Sequence, residues 1–291
     1  MRDTLLACDK LTKHYNGNAV LDNLTLQARR GEVIGLLGLN GAGKTTLLET
    51  LVGYSLPDAG TAWICGQDAL CLDAATRRRI SFVPQRDELL DTMTPPQYLA
   101  LIASFYPNWN DEFIKRLLRD WQVPHTQRIN TLSIGQRHKL ALIAALGNAP
   151  ELLILDEPVA SLDPLARRQF LTELVEIASH QQTTIVFSTH IVSDLERVAT
   201  RVWLLREGHL ILDAELDDIK EQMVRITVDS SIVLPPVVST KVLRQRESNS
   251  NRILLCRHWN EALQALMERD LGAEVLIEHL SLEDIFLELH A

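Results

Sequence analysis

The feature that most constrains this chain is the run Gly38-Leu39-Asn40-Gly41-Ala42-Gly43-Lys44-Thr45, set directly after the continuous apolar stretch Val33–Leu37 and ahead of helix-forming residues Lys44–Val52. Strand, glycine-rich loop and helix in that order leave little choice of architecture, because such a loop opens the crossover of a parallel sheet. The glycines let successive backbone N–H groups converge on a polyphosphate at the helix N-terminus. Lys44 can reach its outer phosphates, and the Thr45 hydroxyl can ligate magnesium. Gly38, Asn40, Gly41, Ala42, Gly43, Lys44, Thr45 and Thr46 are therefore candidate nucleotide-binding residues.

A second carboxylate-bearing strand fits beside the first. Leu152-Leu153-Ile154-Leu155 runs straight into Asp156-Glu157, which places two acids at the C-terminal end of a buried strand, where α/β sheets hold their ligands. Asp156 is the candidate magnesium ligand, with Thr45. Glu157, pointing elsewhere, could orient and deprotonate a water. Strands are also predicted at Ile80–Val83 and Thr184–Phe187, with a helix opening at Asp163-Pro164 and a closing hairpin turning at Glu207-Gly208. Apolar strands with crossover helices imply a sheet covered on both faces.

Residues 87 to 131 have a different texture, with Tyr98, Phe105, Tyr106, Trp109, Phe113 and Trp121 among helix formers and prolines, and they predict an inserted helical subdomain. Beyond Glu215 the pattern changes again. Strands are expected at Val224–Val228, Lys241–Arg244, Arg252–Cys256 and Glu274–Ile277, and helices at Asn260–Arg269 and Ser281–Leu289, the last with Ser281 and Asp284 as a capping pair.

Leu132-Ser133-Ile134-Gly135-Gln136, Gln85 after its strand, Ser161-Leu162-Asp163 and His190 after the next apolar strand form an ordered set with the loop and the Asp156-Glu157 pair. This set resembles the ATP-binding cassette family over most of the chain. The resemblance implies an α/β P-loop NTPase core of ABC type with N-terminal antiparallel strands in residues 1–214, a helical insert at about 87–145, and a small α+β accessory domain in 215–291. It assigns Tyr15 to stack on adenine, Gln85 to contact magnesium and the attacking water, and His190 to sense the γ-phosphate. Ser133, Gly135 and Gln136 would meet the nucleotide of the opposite protomer, and Asp163 would link the two sites. The implied activity is ATP hydrolysis, with ATP and Mg2+, by a homodimer (or heterodimer) that drives a separate transmembrane permease from the inner face of the membrane. Ile134 departs from the glycine most common at its position.

Composition narrows the alternatives. With a net charge of -9 the chain has no global attraction to nucleic acid or an anionic bilayer, and the dense runs Arg77-Arg78-Arg79 and Arg167-Arg168 read as solvated helix faces. A soluble ABC-type mechanoenzyme working on nucleic acid or the ribosome stays open as the second reading. The single glycine-rich loop, the single signature and the absence of a heptad run favour transport. The start predicts no secretion signal. The most apolar stretch, Leu140–Leu155, is broken by Asn148, Pro150 and Glu151, short of the roughly 20 residues a spanning helix needs. Cys8, Cys65, Cys71 and Cys256 lack metal-ligand spacing and read as buried, reduced thiols. Leu282-Glu-Asp-Ile-Phe286 resembles the tail of cassettes serving bacterial drug, antibiotic-peptide and lipid exporters, and Phe105-Tyr-Pro-Asn-Trp109 resembles members tied to efflux or envelope stress.

Overall fold

The computed structural model describes residues 3–86, 88–181, 183–248, 250–271 and 275–290. It resolves into two compact units, Met1–Asp213 and Ala214–Ala291.

In chain order the first unit contains β1 (Thr4–Tyr15), β2 (Asn18–Arg29), β3 (Val33–Leu37), α1 (Lys44–Leu51), β4 (Ala59–Ile64), β5 (Gln67–Asp68), α2 (Ala74–Arg77) and β6 (Ile80–Val83). The insert supplies α3 (Pro95–Ala103), α4 (Asp111–Asp120) and α5 (Ile134–Leu146). Next come β7 (Leu152–Leu155), α6 (Pro164–Gln181), β8 (Thr184–Thr189), α7 (Val192–Val198), β9 (Arg201–Arg206) and β10 (His209–Glu215). The second unit holds α8 (Leu216–Gln222), β11 (Val224–Asp229), α9 (Pro236–Ser239), β12 (Val242–Ser248), β13 (Asn251–Cys256), α10 (Glu261–Leu271), β14 (Leu276–His279) and α11 (Leu282–His290).

The central six-stranded sheet runs β10-β9-β3-β8-β7-β6. Strand β3 pairs parallel with β8 and β9, and β7 pairs parallel with β6 and β8. Every residue of β3, β7 and β8 is buried, which explains why these strands read as unbroken apolar runs with no alternation. Their C-terminal ends deliver Gly38, Asp156 and His190 to one edge of the sheet. A second, antiparallel sheet orders β2-β1-β4-β5. Its leading hairpin turns on Asn16 and Gly17 with φ 51° and 82°, the left-handed pair that a two-residue loop requires. Leucines of both sheets and of α1 share one core.

Of the prolines in the insert, Pro107 and Pro124 lie in the connections between helices, while Pro95 and Pro96 open a helix. Pro95 and Pro96 occupy the first turn of α3, and Gln97 Oε1 accepts from Thr94 N at 2.9 Å. Helix α4 hides Ile114, Leu117 and Leu118, spaced to form one apolar face. Trp121 meets Phe170 edge-on at 5.8 Å, so part of the aromatic stretch fills core, whereas Phe105 is exposed.

In the second unit β12-β13-β11-β14 form an antiparallel sheet. Val224, Ile226 and Val228 alternate inward to a core closed by Trp259, Leu263 and Met267. The short helices α8 and α9 have no counterpart in the sequence reading, and β12 starts one residue later and runs on to Ser248. Glu274, expected in the last strand, lies outside the described residues. Ser281 Oγ does cap α11, accepting from Asp284 N at 3.1 Å.

Two expectations are corrected. Only Cys8 and Cys256 are buried, while Cys65 is half-buried in a left-handed turn and Cys71 is exposed, because these two sit on the connection around the short edge strand β5. Nor are the arginine runs purely solvated. Arg79 Nε donates to Glu151 at 2.6 Å, and Arg167 Nε donates to both Asp194 oxygens at 2.8 Å.

Candidate active site

The loop between β3 and α1 folds around its own lysine. Lys44 Nζ donates to the carbonyls of Gly38 (2.8 Å) and Leu39 (3.3 Å) and lies 3.3 Å from Glu157 Oε1. Leu39, Asn40 and Gly41 form the exposed crest; Ala42, Gly43 and Lys44 are buried beneath it, and Thr46 is half-buried in the first turn of α1. Gly43 is obligatory: its φ is 102°, and a Cβ there would stand 2.7 Å from the Val20 carbonyl oxygen.

At the end of β7, Asp156 is fully buried. Its Oδ2 accepts from Thr45 Oγ1 at 2.6 Å and its Oδ1 from Ser188 Oγ at 2.6 Å. Ser188 Oγ in turn accepts from Glu157 N at 2.7 Å, so one hydroxyl orients both acids. Glu157 takes a left-handed φ of 48°, an unusual conformation for a side-chain-bearing residue, and it turns the carboxylate away from Asp156 toward Lys44 and His190. His190 Nδ1 lies 3.0 Å from Glu157 Oε2, with the His190 side chain still 42% exposed. Burial, followed by the charges of Asp156 and Glu88, pushes the Glu49 carboxyl on α1 above its ordinary value.

Lys44, Thr45, Asp156, Glu157 and His190 thus form one bonded cluster. Ser188 belongs to it and escaped the sequence reading. The available signal was a hydroxyl two residues before His190, interrupting an apolar strand at its C-terminal end. The donor set of Thr45 and Asp156 is all oxygen, which suits a hard ion such as Mg2+ that keeps waters and phosphate oxygens as its other ligands. Among the described residues no group of three or more His, Cys, Asp or Glu gathers to cage a metal without such help.

Other expected residues stand apart from this cluster. Tyr15 is half-exposed, its hydroxyl 3.4 Å from Ser55 Oγ and its ring 5.2 Å from Lys13 Nζ. Gln85 is exposed just past β6 and makes no bond to Asp156 or Thr45. Ser133 caps α5: its Oγ accepts from Gln136 N at 3.2 Å, while Gln136 Oε1 accepts from Ser133 N at 2.9 Å. Ile134 beside it is 74% exposed. Gly135 faces the turn after β7, where a Cβ would stand 3.2 Å from the Ser161 carbonyl oxygen. Asp163 Oδ1 caps α6, accepting from Leu165 N and Ala166 N at 3.0 Å, and these bonds, Ala166 first, hold its carboxyl below the ordinary value.

Comparison with known proteins agrees with this geometry. Residues 21–160 match the family profile described as ABC transporter. The chain is 31% identical over 289 residues to Nod factor export ATP-binding protein I of Burkholderia thailandensis, covering 96% of this chain and 95% of that one. A solved structure described as the ATP binding subunit of an ABC transporter is 30% identical with TM-score 0.67, covering 74% of this chain and 92% of its own. The fold is also that of a dimeric ATP-binding cassette in a post-hydrolysis state with ADP and phosphate, 23% identical with TM-score 0.66 over 73% of this chain and 99% of that one. Near-full-length identity to an ATP-binding protein of this kind, on a scaffold that aims a glycine loop, a lysine and two acids at one point, leads to one conclusion: the chain belongs to the ABC transporter family, as an ATP-binding, ATP-hydrolysing subunit.

Proposed function

We propose that this chain is the motor of an exporter: two copies close on ATP, split it in sites shared between them, and drive a separate transmembrane subunit from the cytoplasmic face. The carrying observation is the separation within one chain. Lys44, Thr45, Asp156, Glu157 and His190 are bonded together, while Ser133 and Ile134 stand at the exposed N-terminus of α5 outside that network. A second copy presenting its Ser133 and Gly135 to the γ-phosphate would complete each site, and Asp163 would bridge the two. Tyr15 stacks on adenine, Glu157 takes the proton of the attacking water, and Gln85 and His190 orient that water and the γ-phosphate. Thr45, Asp156 and Gln85 would hold Mg2+, which would offset charge on the phosphate oxygens.

A transmembrane partner is required by this reading, since no helix among the described residues is long and apolar enough to cross a membrane. Its docking place is supported by a cavity of about 490 Å³ lined by Tyr54, Phe82, Glu88, Tyr98, Ile102 and Tyr106, between β6 and the insert and close to Gln85. We place the docking segment at residues 87 to 96, of which Asp87 lies outside the described residues. Export is supported by likeness to the Nod factor export protein.

Glu157→Gln tests the core of the proposal: with ATP and Mg2+ it accumulates as a nucleotide-bound dimer on size exclusion, and a monomer under those conditions refutes it. Mixing Lys44→Ala with Ser133→Arg chains restores ATPase through one intact composite site; mixed dimers without activity refute sharing. Glu88→Lys uncouples transport while ATPase continues, and unchanged transport removes the docking assignment.

A further inference from the structure

Helix α5 begins at the exposed Ser133 and Ile134, followed by the half-buried Gly135, and one of its faces is fastened to the turn that carries Glu157. Gly135 and His138 are three apart and share that face. His138 is 4% exposed, and its Nε2–H donates to the carbonyl oxygen of Pro158, itself buried, at 2.6 Å. Gly135 lies against the Ser161 carbonyl, so the helix grips both ends of the stretch 158–161. That stretch is tightly wound: Ala160 N donates to Glu157 O and Leu162 N to Val159 O, both at 3.2 Å, and it starts from the left-handed Glu157. Nothing in the catalytic cluster described above uses His138.

We propose that His138 is a positioning residue for ATP hydrolysis, holding the Glu157 turn in register with the N-terminus of α5. A displacement of Ser133 is then passed to Glu157 of the same chain through a short, buried hydrogen bond. Lys44 and His190 meet the Glu157 carboxylate at its tip, while its backbone is set by the left-handed φ and the Ser188 bond; rotation of the 157–158 peptide swings the side chain off line, and the bond from His138 restrains that peptide at its next carbonyl. The consequence is that each protomer's own base responds to the element it offers its partner. This inference rests on the reading of Glu157 and Ser133 given above.

The test uses the full chain and reads kcat and KM for ATP, with direct binding of a fluorescent ATP analogue alongside. His138→Leu keeps the volume and removes the donor. It lowers kcat on the order of tenfold, the scale of a sub-ångström misplacement of a reacting group, with KM and analogue binding unchanged. His138→Gln, whose amide N–H can reach the same carbonyl, restores most of the rate. Should the leucine variant not fold, His138→Asn, polar but too short, is compared with His138→Gln. A wild-type kcat in His138→Leu (or in His138→Asn, if it serves as the comparison) overturns the inference, as does equal impairment of His138→Gln. Inactive Glu157→Gln beside fully active His138→Leu sinks this inference alone, whereas an active Glu157→Gln sinks the reading of the base on which it stands.

Discussion

Ser188→Ala isolates the hydroxyl on which the two acids depend. Ser188 is fully buried, donates to Asp156 Oδ1 at 2.6 Å and accepts from Glu157 N at 2.7 Å. Alanine fits the space and removes both bonds, leaving a buried carboxylate oxygen and a buried backbone N–H with lost partners. A hydrogen bond to a charged group is worth about 1.5–3 kcal/mol and an orphaned neutral donor costs about 1–3 kcal/mol, so, near the low end of both ranges, the nucleotide-free protein loses about 3 kcal/mol in total. For a unit of this size each kcal/mol corresponds to about 2–4 °C, which sets the expected fall in Tm at about 6–12 °C. Differential scanning calorimetry without nucleotide measures it. ATPase should fall too, since Glu157 N is no longer held and its left-handed turn loses a restraint. A Tm within about 1 °C of wild type would mean that Ser188 carries no structural charge coupling and that the aiming of Asp156 and Glu157 resides in the backbone alone.

The base of the central sheet should be acid-sensitive. Glu151, bonded to Arg79 first and Arg30 second, is drawn down to about 2 from 4.5, so its contribution is complete above the unfolded value and is lost as pH falls from about 4.5 toward 2. Glu151→Gln flattens the dependence of Tm on pH in that window; an unchanged slope refutes the assignment. The side chains are over a third exposed, so high salt also weakens the effect. Arg167→Ala strands Asp194, which is 4% exposed, and lowers the unfolding free energy by about 3 kcal/mol by urea titration, whereas Arg167→Ala with Asp194→Ala loses less than the two single changes summed. Additive losses would show that the pair is uncoupled. Gly43→Ala, forced against the Val20 carbonyl, abolishes binding of a fluorescent ATP analogue, while Gly41→Ala, whose Cβ meets open space, costs only the left-handed backbone, about 1 kcal/mol. Equal binding by both variants contradicts the geometry of the loop.

Much of this protein was legible in its one-dimensional pattern because the constraints were local. The glycine spacing before Lys44 needs particular backbone angles within a few residues, and Val33–Leu37, Leu152–Leu155 and Thr184–Phe187 are apolar on both faces because parallel strands are covered on both sides. Asp156 and Glu157 follow directly on their strand, and Ser133 caps α5 through its neighbour Gln136. Tertiary structure decided whatever depended on partners far along the chain. Ser188 lies 32 residues from the Asp156 it bonds, and His138 lies 20 from the carbonyl it holds, so neither spacing has a period to read. Arg79 and Arg167 looked like solvated charge until Glu151 and Asp194 were brought beside them. Cys65 and Cys71 looked like core until the edge of the small sheet left them at its surface. Hydrophobic period and turn chemistry act over a few residues, while the pairing of buried polar groups is settled only when distant strands meet and each donor must find an acceptor.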